Sequence, residues 1–307
     1  MSEETRSLVE AAIAELGYVP NRAARALAAN RTDAVALVVP ESQDRFFSEP
    51  YFSHIVRGAG AGLAGTGMQL LLTLAPQGRE RDTLAQYLAA DRVDGVLLVS
   101  VHAGDPLPDQ LAALSVPVVI SGRRSADEPL AAVDSDNFEG AREAVAHLAA
   151  RGGAPSPRSP VRWTCTARSA GWTATARPSP GRPRRRPRLT AEADFSEEGG
   201  RRAMRALLDG RPDLDAVFAA SDVMAAGARA TLREAGRRVP EDVALVGFDD
   251  SAVARHMDPP LTSVRQPIEE MGRTMARVLL DEIATPSAPP RRPRIVLPTR
   301  LVVRESS

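Results

Sequence analysis

Apolar positions along this chain fall into two alternating rhythms. Short continuous runs such as "AVALVVP" (34–40) suit strands buried on both faces, and stripes with helical spacing lie between them. The order from residue 34 is regular. The strand-like runs are "AVALVVP", "MQLLLTLA" (68–75), "VDGVLLVS" (93–100), "VPVVISG" (116–122) and a short one around "AAVDSD" (131–136). The helical stretches between and after them are "YFSHIVRGAGAGLAGTG", "RERDTLAQYLAADR", "PDQLAALS" and "FEGAREAVAHLAAR". Such alternation predicts a parallel, doubly wound sheet. The rhythm breaks at Gly152 and resumes near Leu189 with the helix "EEGGRRAMRALLDG", the strand "DAVFAAS", the helix "DVMAAGARATLREAG" and the strand "DVALVGFDD". A long amphipathic helix, "IEEMGRTMARVLLDEIA", and terminal strands in "RIVLPTRLVVRESS" close the chain. The pattern therefore predicts two similar α/β units.

Ahead of them, "EETRSLVEAAIAELG" places Leu8, Val9, Ala12, Ile13 and Leu16 on one helical stripe, with Gly17 as C-cap. "NRAARALAAN" follows Pro20 as a second short helix, with Asn21 as N-cap and Leu27 as its one large apolar side chain.

At 307 residues the chain has room for two core-bearing domains. Its formal net charge is zero, so any contact with nucleic acid must be local. A single cysteine excludes an internal disulfide and fits a reducing cytoplasm. No run reaches the length of a membrane span, and the N-terminus lacks the basic and apolar regions of a signal peptide. His54, His102, His147 and His256 are scattered, and no nucleophilic triad, metal-spaced set or phosphate loop is legible. "GAGAGLAGTG" sits inside a helical pattern instead of directly after a strand. No enzyme, metal or cofactor is expected.

The ordered set "ETRSLVEAAIAELGYVPNRAARALAANRT", "AVALVVPE", "EPYFSHIVRGA", "RVDGVLLVS", "VPVVISGR", "VDSDNFEGAREAVAHL", "AASDVMAAGARATLREAG", "VPEDVALVGFDD", "PPLTSVRQP" and "LPTRLVVRESS" resembles the lactose/galactose repressor (LacI/GalR) family of transcriptional regulators over nearly the whole chain. The resemblance implies an α/β fold: a two-lobed, periplasmic-binding-protein-like core of two doubly wound parallel sheets, preceded by an α-helical remnant of a helix-turn-helix domain. It implies a remnant over 1–19, corresponding to the family's third helix, and a hinge helix and linker over 20–33. The first lobe spans 34–151 plus about 266–294, and the second 152–265 plus about 295–307. As a homodimer, such a protein binds a pseudo-palindromic operator and a small effector, expected to be a carbohydrate. A transport-type sugar-binding protein shares the core but does not need the "GYVPNRAARAL" hinge.

Carried over residue by residue, Leu27 becomes a wedge in a minor-groove step, beside Asn21, with Arg22, Arg25 and Arg31 on phosphates. Leu27 also reads as an ordinary apolar face residue. In the effector crevice the resemblance places Tyr51 and Phe52, which stack on a ring or pack at a helix start. It also places Asp136, Ser221 and Asp222, each of which also reads as a helix cap, and Arg123, which faces the crevice or a surface acid. Asp249, ending "VALVGFD", is the strongest candidate, a carboxylate able to accept two hydroxyl hydrogen bonds from a polyol.

"RWTCTARSAGWTATARPSPGRPRRRPR" (162–188) departs from that pattern, as does the aberrant window of 152–188 as a whole. The quoted stretch has no acidic residue and holds both Trp and the only Cys. It reads as a basic, Pro-rich nucleic-acid arm or as a frameshift. The codons favour the second reading. Trp is TGG and Thr is ACN, so one base upstream Trp163-Thr164 and Trp172-Thr173 each contain GAC, an Asp codon. Each follows a codon ending in TG, for Leu, Met or Val. GC-rich choices turn "GGAPSPRSPVRWTCTARSAGWTAT" into approximately "RRAVATISGPLDMYCAERRLDGYR", with the strand, Gly-Pro loop, helix and Gly-Tyr turn of the family. A frameshifted chain is expected to have a well-formed first lobe, a compromised second lobe, and impaired effector and DNA binding, as of a pseudogene product.

Overall fold

The computed structural model describes residues 5, 7–8, 11–12, 15–16, 31–75, 83–84, 86–88, 92–101, 105–114, 116–125, 128–151, 163–168, 171–176, 190–285 and 292–307, with 163–168 and 171–176 as backbone only. Asn21, Arg22, Arg25 and Leu27 lie outside the described residues, as does most of the aberrant window. The first helix is present at its described positions, where Leu16 N donates to Ala12 O at 3.0 Å. Arg31 is exposed at the entry to the first strand.

The first lobe is a six-stranded parallel sheet, ordered β11-β5-β4-β3-β1-β2. Its strands are β1 (Ala34–Val39), β2 (Gln69–Leu74), β3 (Gly95–Leu98), β4 (Val118–Ser121), β5 (Ala131–Ser135) and β11 (Arg294–Leu297). All six residues of β1 are buried, because alternate side chains enter two separate cores. Val35, Leu37 and Val39 join α2 (Pro50–Leu63) and α8 (Ile268–Ala284) on one face. Ala34, Ala36 and Val38 join Leu107 and Leu111 of α3 (Leu107–Ala112) on the other. The short α1 (Gln43–Ser48) links β1 to α2.

The glycines of "GAGAGLAGTG" belong to α2 and its C-terminal turn. A Cβ on Gly58 would stand 2.1 Å from Glu269 O, and one on Gly272 2.4 Å from Ile55 O. The two helices therefore meet backbone to backbone, which a larger residue forbids.

The second lobe carries a four-stranded sheet, ordered β12-β10-β9-β8, built from β8 (Ala216–Phe218), β9 (Ala244–Asp249), β10 (Thr262–Arg265) and β12 (Arg300–Val302). β12 runs antiparallel to β10, so this sheet is mixed at that edge. Helices α5 (Glu197–Gly210), α6 (Asp222–Glu234) and the short α7 (Ala252–His256) complete it. β6 (Trp163–Arg168) and β7 (Gly171–Ala176) form an antiparallel hairpin that pairs with no other described strand. Among the described residues β8 is thus an open edge, where the first lobe has two further strands.

The lobe boundaries differ from the expected ones. Helix α4 (Asn137–Arg151), assigned by sequence to the first lobe, buries Ala141, Ala144 and Leu148 against Phe218, Val246, Phe248 and Val264 of the second. Conversely, β11 completes the first sheet, so residues 295–297 belong there and the change of lobe falls between Leu297 and Arg300. The chain crosses between lobes at 135–137, 265–268 and 297–300. Asp136 N donates to Leu297 O at 2.9 Å and Thr299 Oγ1 to Asp136 O at 2.9 Å, tying two crossings together. No described helix is long and apolar enough to cross a membrane.

Candidate effector-binding cleft

A cavity of about 400 Å³ lies between the lobes. The C-terminal ends of β1, β3, β4 and β5 and the end of β9 open onto it, which is where parallel α/β sheets place ligands.

Tyr51, Phe52, Arg123, Asp136 and Asp249 line it. Their roles differ. Tyr51 is half-buried, and its hydroxyl lies 2.9 Å from Ser121 Oγ. Burial pushes its pKa up to about 12, so it stays a neutral hydroxyl. Phe52 is a core residue, 1% exposed. Asp136 caps α4, with Oδ1 accepting from Glu139 N at 3.1 Å, while still facing the cavity. Arg123 Nε stands 3.9 Å from Asp134 Oδ2 at the cavity wall.

Ser221 and Asp222 do not line the cavity. Ser221 Oγ caps α6 by accepting from Met224 N at 3.2 Å. Asp222 is 1% exposed and accepts from Ser251 N at 2.7 Å and Ser263 Oγ at 2.6 Å, pinning the ends of β9 and β10 to α6. The capping alternative holds for Ser221, whereas Asp222 is neither a cap nor a cavity residue, its oxygens being taken by the Ser251 backbone and by a neighbouring strand.

Asp249 lines the cavity from the end of β9. Its φ of 99° and the 52° of Asp250 turn the chain sharply where β9 ends, conformations that cost non-glycine residues about 1–3 kcal/mol each. Gln266 Nε2 donates to Asp249 Oδ1 at 2.6 Å, and the other end of the same amide meets Ser135 Oγ. Gln266, in a crossing segment, thereby connects the end of β5 in one lobe to the end of β9 in the other. Burial, then the nearby Asp222 carboxylate, raises the Asp249 pKa to about 8. Burial likewise raises Asp222, to about 6. Asp250 carries the compensated charge. It is buried and paired with both Arg265 and Arg304.

Several lining residues escaped the sequence reading. Arg45 and Glu49 come from the α1–α2 segment, Phe195 from the turn before α5, Phe138 from the first turn of α4, and Phe248 and Gln266 from the second lobe and a crossing. Arg45 is held by Glu41 at 2.9 Å and Glu49 at 2.8 Å. Burial raises the Glu49 pKa against the lowering pull of Arg45. Phe195 has a φ of 64°, a local signal that a sequence does not display. Among the described residues no group of three or more His, Cys, Asp or Glu is arranged to hold a metal.

Residues 162–307 match the periplasmic binding protein-like domain. The HTH-type transcriptional regulator CelR of Thermobifida fusca is 46% identical over 322 residues, covering 100% of this chain and 90% of the relative. The chain belongs to the LacI/GalR family of transcriptional regulators. Within LacI/GalR, the repressor CytR of Escherichia coli K12 is 32% identical, covering 92% of this chain and 82% of CytR. A solved CelR–cellobiose complex superposes with a TM-score of 0.76 at 42% identity, covering 100% of this chain and 92% of the other. The operator-bound lac repressor dimer shares the fold, with a TM-score of 0.74 at 23% identity. These LacI/GalR relatives are transcriptional regulators, and the cleft described above is the effector-binding core of that family.

Proposed function

We propose that this chain regulates transcription in response to a neutral β-linked glucose disaccharide or close analogue, cellobiose being the first to test. The observation that carries the reading is the cleft's make-up: Phe195 under Arg45, the Tyr51 hydroxyl, and the Asp249–Gln266 pair, a ring platform beside hydrogen-bonding groups. The CelR complex with cellobiose supports the same ligand class. Asp249 is the principal hydroxyl acceptor, and Tyr51, Arg123 and Asp136 complete the polar lining.

The protein acts in the cytoplasm as a homodimer. Leu27 enters the operator minor groove from each subunit, Asn21 caps the hinge helix, and Arg22, Arg25 and Arg31 meet phosphates. The effector changes the angle between lobes and so the separation of paired hinge segments, coupling the two affinities reciprocally.

The 152–188 window is a frameshifted replacement for the first strands and helix of the second lobe. The codon pattern supports this, as do, among the described residues, the open edge at β8 and a hairpin that pairs with no other strand. Backbone groups left unpaired along such an edge, where buried, cost about 1–3 kcal/mol each.

Isothermal titration with cellobiose, and a gel-shift titration on the gene's own promoter DNA, test the reading in the chain as given and in a frame-restored form. Saturable cellobiose binding that changes operator affinity is the expected result. Operator binding indifferent to sugars, or absent from the restored dimer, defeats it. Resequencing across residues 150–190 decides the frameshift directly.

A further inference from the structure

We propose that Phe138 and Val296 form an outer sugar platform, which makes the cleft a binder of at least two linked rings. The inference rests on the carbohydrate reading above and concerns how that site selects chain length.

Two large apolar side chains stand open to solvent in this one cavity. Phe138 is 65% exposed and Val296 51% exposed, and both line it. Their place follows from sheet order. The cleft wall of the first lobe runs along strand ends from β1, which leads to Arg45, to β11, which carries Val296. Four strand spacings separate those ends, about 19 Å, which is longer than one pyranose ring. Phe195 lies against Arg45 and so belongs to the β1 end. Phe138 follows the β5 crossing and belongs to the β5–β11 end.

The outer end also carries polar groups suited to sugar hydroxyls. Val296 pairs in register with Asp134, and Asp134 is the partner of Arg123. An apolar face flanked by a donor and an acceptor is what a pyranose presents its own faces and edges to. The charges of Arg123 and Asp134 offset each other, which favours a neutral ligand. Phe138 contributes little to the core, since α4 buries Gly140, Ala141, Ala144 and Leu148 instead. Its exposure makes it available to a ligand.

The test is isothermal titration with glucose, cellobiose and cellotriose on the full chain, as given and frame-restored, with the same variants in each. Phe138→Ala is expected to weaken cellobiose by about tenfold, the loss typical of a stripped aromatic anchor, and to leave glucose unchanged. Phe138→Trp should retain cellobiose affinity, and thermal stability should stay within experimental error for both variants. Phe195→Ala should weaken all three sugars. Equal weakening of glucose and cellobiose by Phe138→Ala, or no effect on cellobiose, overturns the outer platform while the carbohydrate reading stands. A frame-restored chain that binds none of the three sugars overturns both.

Discussion

The guanidinium of Arg45, in the first lobe, lies 5.1 Å from the ring centroid of Phe195, in the second. It is a contact across the mouth of the cleft between residues distant in sequence. Glu41 and Glu49 hold Arg45 in place, and their side chains are only 9% and 11% exposed. Arg45→Met therefore does two things. It removes a cation–π contact worth about 0.5–2 kcal/mol and takes the Arg45 charge away from two mostly buried carboxylates. A stability loss of about 2–3 kcal/mol is expected, less than for a fully buried pair because Arg45 keeps some solvent access. Phe195→Leu removes only the ring and should cost under about 1 kcal/mol. Urea denaturation of the two variants separates the effects.

Asp249 and Asp222 predict a pH dependence of defined sign. Both hold a proton in the folded chain over a range where the unfolded chain has released it. Each carboxyl is raised, Asp249 to about 8 and Asp222 to about 6. The folded state thus binds more protons than the unfolded one between about pH 4 and about pH 8, and stability falls as pH rises through that window. Asp249→Asn keeps the shape and removes the proton, so its melting temperature should fall less across the same range. Differential scanning calorimetry from acid to mildly alkaline pH reads the slope directly.

The same proton links to ligand. Hydroxyl groups donating to Asp249 favour its charged form, so effector binding should release a proton and tighten as pH rises toward about 8. Calorimetric titration in two buffers of different ionisation enthalpy measures that proton. An affinity flat across the range removes Asp249 from the role of charged acceptor.

Gly58 and Gly60, two residues apart in α2, should respond oppositely to the same change. A Cβ on Gly58 would meet Glu269 O at 2.1 Å, whereas one on Gly60 meets nothing within 4 Å. Gly58→Ala should force α2 and α8 apart and cost about 2–3 kcal/mol. Gly60→Ala should stabilise by about 0.5–1 kcal/mol through helix propensity alone. Thermal melts of the two variants decide it.

Asp250 is the structural counterpart of Asp249. It is buried and bound to Arg265 from β10 and Arg304 from the tail after β12. Asp250→Ala strands two arginines and should destabilise the second lobe by about 3 kcal/mol. Proteolysis of residues after 190, compared with the first lobe, localises the loss.

The sequence by itself determined most of the elements and their order, though not α1, α7, β10 or the β6–β7 hairpin. Continuous apolar runs marked β1, β3 and β4, helical stripes marked α2, α5, α6 and α8, and family motifs brought Tyr51, Arg123, Asp136 and Asp249 to strand ends around one crevice. These signals are local, since burial on two faces or on one stripe leaves its period in the chain itself. Tertiary structure alone decided the rest. The helix that follows β5 covers the other lobe's sheet, because the chain crosses over at Asp136 and nothing in the stripe of α4 says which sheet it will meet. Asp222 looks like a site carboxylate in sequence, yet Ser251 N and Ser263 Oγ take its oxygens inside the core. Phe195 reaches Arg45, and Gln266 joins Ser135 to Asp249, only once two lobes close around a common cavity. Contacts between residues far apart along the chain depend on that closure, and no periodicity records it.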